Sequence, residues 1–118
     1  YLEIRCVDAL PDRWWPALAA LTATLVDDEV AADGAAELCE PVARRSEAAA
    51  RGGLSDPDLC AAVTGCLELA VSRCAPALKA DLEAFAELVT SGRTPSSQLR
   101  ARAEADGPLR VLEEEAHA

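Results

Sequence analysis

Clear alternation of apolar and polar side chains is confined to the opening stretch, Tyr1-Leu2-Glu3-Ile4-Arg5-Cys6-Val7-Asp8, and this confinement limits the fold more than any other feature. Leu2, Ile4 and Cys6 alternate with Tyr1, Glu3 and Arg5, the period-2 pattern of a strand buried on one face. A single strand leaves backbone hydrogen-bonding groups open on both sides, and even an isolated two-stranded hairpin is marginal in water. The sheet that this strand joins must therefore come from elsewhere. The expectation is a C-terminal piece of a longer protein, or a separate subunit that completes a sheet in another chain.

The later apolar residues recur at helical spacing, and composition explains why. Hydrophobic residues make up 51% of the 118 residues but aromatic ones only 3%, so one domain must build its core from Ala, Leu, Val and Cys. Such a core suits closely packed helices better than a sandwich, which draws on β-branched and aromatic residues. The predicted fold class is mostly α: one N-terminal β-strand over 1–8, a helical bundle-like subdomain over 9–107, and a tail over 108–118 that is helical but short enough to fray.

Local signals place the helices. Asp12 is positioned to cap a helix beginning near Arg13, with Trp14, Leu18, Leu21 and Leu25 on one face and a tryptophan sealing it onto the apolar face of the strand. After the acidic turn Asp27-Asp28-Glu29, a second helix runs through Val30, Leu38 and Val42 to about Ala50, kinked or broken by Pro41. Arg44 and Arg45 read as a solvated face rather than an anion site. Gly52-Gly53 stops that helix, and Ser55-Asp56-Pro57 starts a third whose stripe is Leu59, Val63, Cys66, Leu67, Ala70, Val71 and Cys74. A fourth, from about Leu78 to Thr90, turns Leu82, Phe85 and Val89 inward and stops at Gly92. Thr94-Pro95 opens a fifth that carries Leu99 and ends at Asp106-Gly107. The last segment, from Pro108, carries Leu109 and Leu112 on one side.

Charge and cysteine usage exclude several functions. The excess of 21 acidic over 11 basic side chains, a formal charge of −10, repels phosphate backbones, so nucleic acid is not an expected partner. No apolar run approaches the ~20 residues of a membrane span, and the expected setting is the cytoplasm. The five cysteines, Cys6, Cys39, Cys60, Cys66 and Cys74, include no C-x-x-C pair. They read as small buried core residues, Cys66 and Cys74 above all. His117, the only histidine, lies in the tail and is a poor catalytic candidate.

Candidate chemistry sits on the polar face of the strand, where Glu3 and Arg5 stand ~7 Å apart. One reading is a surface ion pair worth about 0–1 kcal/mol. The other is a site, with a carboxylate for a metal ion and a guanidinium fork for a phosphate or carboxylate. Two residues alone do not decide between them.

The motif Tyr1-Leu2-Glu3-x-Arg5-x-x-Asp8-x-x-Pro11 resembles the glutamate–cysteine ligases of the carboxylate–amine ligase family, in particular the actinobacterial type that feeds ergothioneine synthesis. The likeness continues through Asp12–Trp15, Ala49–Pro57 and Ser91–Pro95. The strand is also similar to the Glu-x-Arg strand of glutamine synthetases, which implies a parent enzyme with an α+β catalytic sheet. The resemblance implies Glu3 as a magnesium ligand and Arg5 as the catalytic contact to phosphate or glutamate, with Tyr1 and Asp8 in support. It further implies ATP and Mg2+ as cofactors, and glutamate and cysteine as substrates joined through a γ-glutamyl phosphate. Most of that site would lie outside this chain, so the chain alone is expected to be inactive. Two readings from other classes compete. One is a non-catalytic helical module docking on a partner through the strand and the Trp14–Trp15 region, and the other is a cysteine-lined bundle that holds a soft metal.

Overall fold

The computed structural model describes residues 10–117, and Leu10–His117 fold almost entirely as helix. Seven α-helices follow in order: α1 Trp15–Asp27, α2 Glu29–Cys39, α3 Ser46–Gly52, α4 Pro57–Arg73, α5 Lys79–Thr90, α6 Pro95–Asp106 and α7 Pro108–Ala116. No strand occurs among the described residues. The expected strand over Tyr1–Asp8, and with it any tryptophan contact to that strand, lies outside them.

The helix boundaries follow local chemistry. Asp28 caps α2 by accepting the Ala31 N–H at 2.9 Å, and Asp56 caps α4 by accepting the Asp58 and Leu59 N–H groups at 3.0 and 3.2 Å; each carboxylate satisfies donors that the helix start leaves open. Pro57 and Pro95 occupy first-turn positions where no N–H is needed. Thr94 and Ser97 cap α6 reciprocally, each hydroxyl accepting the other's backbone N–H. The chain breaks as expected at Pro41: α2 stops at Cys39, a 3₁₀ turn spans Glu40–Val42, and α3 starts afresh. α5 ends in a Schellman arrangement. The Arg93 N–H reaches Leu88 C=O at 3.2 Å and the Gly92 N–H reaches Val89 C=O at 2.9 Å, which requires the positive φ of 76° at Gly92.

One predicted cap is absent. Asp12 lies inside a 3₁₀ turn, Asp12–Trp14, closed by the Trp14 N–H on Pro11 C=O at 2.9 Å. Its side chain makes no cap bond there, and α1 starts at Trp15.

Four helices make the body. α1 packs on α2, α4 and α5, and α4 packs on α2 and α5 as well. The core centres on Ala20, Leu67, Ala70, Leu82 and Val89, with Leu21, Leu25, Phe85 and Cys74 packed against it. α6 and α7 form a hairpin whose main contacts are with each other.

The inward faces are smaller than the largest side chains suggest. α1 buries Ala17, Ala20 and Thr24, while its leucines are only half-buried. α2 buries Ala31, leaving Val30 61% exposed, and α4 buries Ala62 rather than Val63. In α7 the buried residue is Val111, whereas Leu109 and Leu112 are 75% and 66% exposed. In α1, α2 and α4 the physical reason is shared: helices that meet through alanine and glycine come close, and a bulky side chain on the contact line would hold them apart. The cysteines correct the expectation too, because Cys60, Cys66 and Cys74 are only half-buried and Cys39 is exposed. Leu82, by contrast, is fully buried. Leu82→Ala should cost about 2–5 kcal/mol, and Leu109→Ala less than about 0.5 kcal/mol, as read from urea unfolding of the two variants beside the parent chain.

Candidate functional site

Tyr1, Glu3, Arg5 and Asp8 all precede the described residues, so the described part of the candidate site begins at Leu10 and at Pro11, the last position of the motif. Pro11 is extended, with φ −55° and ψ 140°. Its carbonyl closes the 3₁₀ turn that launches α1. This proline is therefore the junction between the motif and the helical body.

Two grooves flank that junction. On one side Leu10, Pro11 and Asp12 meet Leu99 of α6 and Val111 of α7 around a hollow of about 240 Å³. On the other, Arg13, Arg93 and Arg102 line an open groove of about 540 Å³ with Ser97 and Gln98. Arg13 Nη2 donates to Gln98 Oε1 at 2.9 Å, and its guanidinium carbon lies 5.1 Å from the Trp14 ring centroid, within cation–π range. Trp14 sits edge-on to Phe85 of α5, with centroids 5.5 Å apart and planes at 67°. Its indole N–H is buried and meets no acceptor among the described residues. Trp14 is thus occupied inside the fold, and of the tryptophan pair suggested for docking only Trp15 is well exposed.

The hairpin is locked by charge. Arg102 pairs with Glu114 at 2.8 Å and with Glu115, and these bonds raise the Arg102 pKa, Glu115 contributing most. Arg110, and then Arg102, hold the Glu114 carboxyl below its ordinary range. Arg45 is not merely solvated, as the sequence suggested: it bridges Asp56 and Asp58 at the start of α4. At the far end of α4, Arg73 takes both oxygens of Asp28 at 2.7 Å. That bond, together with the Ala31 N–H, lowers the Asp28 pKa.

The described residues do not supply a magnesium site, since no group of three His, Cys, Asp or Glu side chains among them converges to hold a metal. The one carboxylate assigned to magnesium, Glu3, stands before them. Nor is any helix among the described residues long and apolar enough to cross a membrane.

One pairing was not legible in the spacing of the cysteines. Cys39 at the end of α2 and Cys66 in the middle of α4 place their sulfurs 3.7 Å apart. Burial, and then the neighbouring Cys39, push the Cys66 thiol up to about 11. The sequence carries no signal for it; the fold brings the preceding residues together, since a Cβ on Gly65 would stand 2.9 Å from Leu38 Cδ2.

Comparison with known proteins agrees with the motif. The sequence profile described as Glutamate-cysteine ligase family 2 (GCS2) matches residues 1–115, and the chain belongs to that family. It is 38% identical over 114 residues to the Glutamate--cysteine ligase EgtA of Mycolicibacterium smegmatis, covering 97% of this chain and 27% of that protein. It is 39% identical over 107 residues to the Glutamate--cysteine ligase EgtA of Mycobacterium tuberculosis, covering 91% of this chain and 25% of that protein. The chain thus spans about a quarter of the length of the curated relatives it matches. No solved structure matches it.

The raised Cys66 value has a direct consequence. A thiol reacts as its thiolate, so at pH 8 Cys66 should label slowly with an aromatic disulfide reagent. Its rate should climb about tenfold per pH unit until it levels near pH 11. A Cys66 rate already flat between pH 8 and 9, followed by mass spectrometry of the labelled peptide, would remove that assignment.

Proposed function

We propose that this chain is the C-terminal portion of an ATP-dependent glutamate–cysteine ligase that forms γ-glutamylcysteine. The observation that carries the reading is the extent of the family match. It begins at residue 1 and ends at residue 115, so it takes in the Glu-x-Arg motif and the helical body as one unit. In the complete enzyme the strand over 1–8 joins a catalytic sheet, the helices of 9–107 buttress it, and 108–118 closes the helical side. The setting is the cytoplasm.

The strand residues have chemically distinct tasks. When bound, ATP and Mg2+ would supply the phosphoryl group that activates the γ-carboxyl of glutamate, and the amine of cysteine would then form the amide as phosphate leaves. Glu3 offers a hard oxygen donor suited to Mg2+. Arg5 offers a fixed two-pronged cation where negative charge gathers on the phosphoryl or the carboxylate. Tyr1 and Asp8 support these two. The junction at Pro11, the Arg13–Gln98 bond and the Trp14–Phe85 contact then fix the strand's exit against α5 and α6, because a donor that must meet a reacting group tolerates little misplacement.

The test uses the complete ligase. Glu3→Gln and Arg5→Lys should each lower turnover by ~10²–10³-fold, equivalent to about 3–4 kcal/mol of barrier. Glu3→Gln should also shift the magnesium dependence upward. Glu83→Gln, at an exposed carboxylate on α5, should leave turnover within twofold or so of the parent, as surface substitutions usually do. The 118-residue chain by itself should release no phosphate from ATP, since it lacks most of the charge-stabilising set. If Glu3→Gln behaves like Glu83→Gln, the polar face of the strand is structural and the proposed roles fail.

A further inference from the structure

The contact between α2 and α4 runs in a strict antiparallel register. Asp28 pairs with Arg73 at one end, Gly34 lies under Leu69 in the middle, and Leu38 lies over Gly65 near the other end. Each step of four to six residues up α2 is matched by four down α4. At both glycines a Cβ would come within 2.9 Å of a terminal carbon of the facing leucine, so each leucine tip packs directly on a glycine face. Beside the Leu38–Gly65 contact, and one residue after each of its members, Cys39 and Cys66 place their sulfurs 3.7 Å apart with no disulfide between them.

We propose that Cys39 and Cys66 form a preorganised dithiol that hydroperoxides convert to an intramolecular disulfide stapling α2 to α4. Several features support this assignment. A disulfide needs closely approaching backbones and sulfurs about 2.05 Å apart. The sulfurs already stand 3.7 Å apart, and a modest side-chain rotation would bring them to bonding distance. Room for that rotation exists, because the two cysteines border a wholly apolar cavity of about 450 Å³ backed by Leu21, Leu25 and Phe85. Cys39 is also the last residue of α2, followed by the 3₁₀ turn around Pro41, so its backbone is not locked into a continuing helix.

Exposure assigns the order of events. Cys39 is the exposed member and meets the oxidant first. Its thiolate attacks the hydroperoxide, the O–O bond breaks, and the alcohol (or water) leaves, giving a sulfenic acid at Cys39. The Cys66 sulfur then attacks the Cys39 sulfur and expels water, its own proton leaving with the departing hydroxide. Two thiols have lost two hydrogens in all, and the peroxide has become an alcohol and water. Cys66 takes the second step because its sulfur already lies 3.7 Å from that of Cys39.

The experiment treats the protein with hydrogen peroxide, follows intact mass and maps the cross-linked peptides. The expected result is a loss of two hydrogens and a Cys39–Cys66 linked peptide, present in Cys60→Ser and Cys74→Ser but absent in Cys39→Ser and Cys66→Ser. Because the bond closes a 27-residue separation that the unfolded chain would otherwise explore freely, the oxidised protein should also melt at a higher temperature than the reduced one. Added oxygen at Cys39 without a cross-link, linkage of Cys39 to a different cysteine, disulfide-linked dimers, or a lower melting temperature after oxidation would each overturn the proposal.

Discussion

Two glycine-to-leucine contacts between α2 and α4 set the spacing on which the rest of this fold depends. With 3% aromatic residues, the chain has few large groups to bridge wide gaps, so its helices are stable together only at short range. The tips of Leu69 and Leu38 pack on Gly34 and Gly65 at that range, and Asp28 with Arg73 fixes the register at the open end. α4 then presents Leu67 and Ala70 to α1 and α5, where they meet Ala20, Leu82 and Val89. Asp28 links both levels, since the same carboxylate caps α2 and holds the end of α4. Local capping and tertiary registration are here one interaction.

The body so formed meets the last position of the motif at Pro11. The chain leaves the motif at Pro11, turns through Asp12–Trp14 and is held at once on two sides: by Phe85 of α5 through Trp14, and by Gln98 of α6 through Arg13. α6 buries no residue of its own and, among the described residues, is tied by this bond and by the Arg102 pairs to Glu114 and Glu115 of α7. In the proposed reading such a helical hairpin would serve as a brace. Its value to a ligase would be to keep the strand's polar face at a constant angle to reacting groups supplied by the remainder of the enzyme.

Much of this was legible from local chemistry. Pro57, Pro95 and Pro41, the Asp56 and Thr94 caps, and Gly92 mark helix ends through bonds made within a few residues, so sequence alone places them. The inward faces were less legible. Val30, Val63, Leu109 and Leu112 point outward while Ala31, Ala62 and Val111 are buried, because the choice depends on how closely a second helix approaches and not on hydrophobicity within one helix. Arg45 reads as a solvated charge until the fold brings Asp56 and Asp58 to it. Cys39 and Cys66 carry no spacing signature, being joined only by the α2–α4 register. The candidate site was legible in another sense: Glu3 and Arg5 stood out by alternation, but their chemistry came from resemblance to a ligase family, and the family match from residue 1 to 115 agrees with that origin.

The proposed metal contact at Glu3 is open to a direct measurement. Mn2+ replaces Mg2+ at oxygen sites and has a paramagnetic signal, so electron paramagnetic resonance of the complete ligase, titrated with Mn2+ in the presence of a non-hydrolysable ATP analogue, reads binding without reference to turnover. If the strand's polar face belongs to the catalytic site, Glu3→Gln will weaken Mn2+ binding by tenfold or more while Glu83→Gln follows the parent isotherm. Superimposable isotherms for Glu3→Gln and the parent would contradict that placement and leave the strand a structural element only.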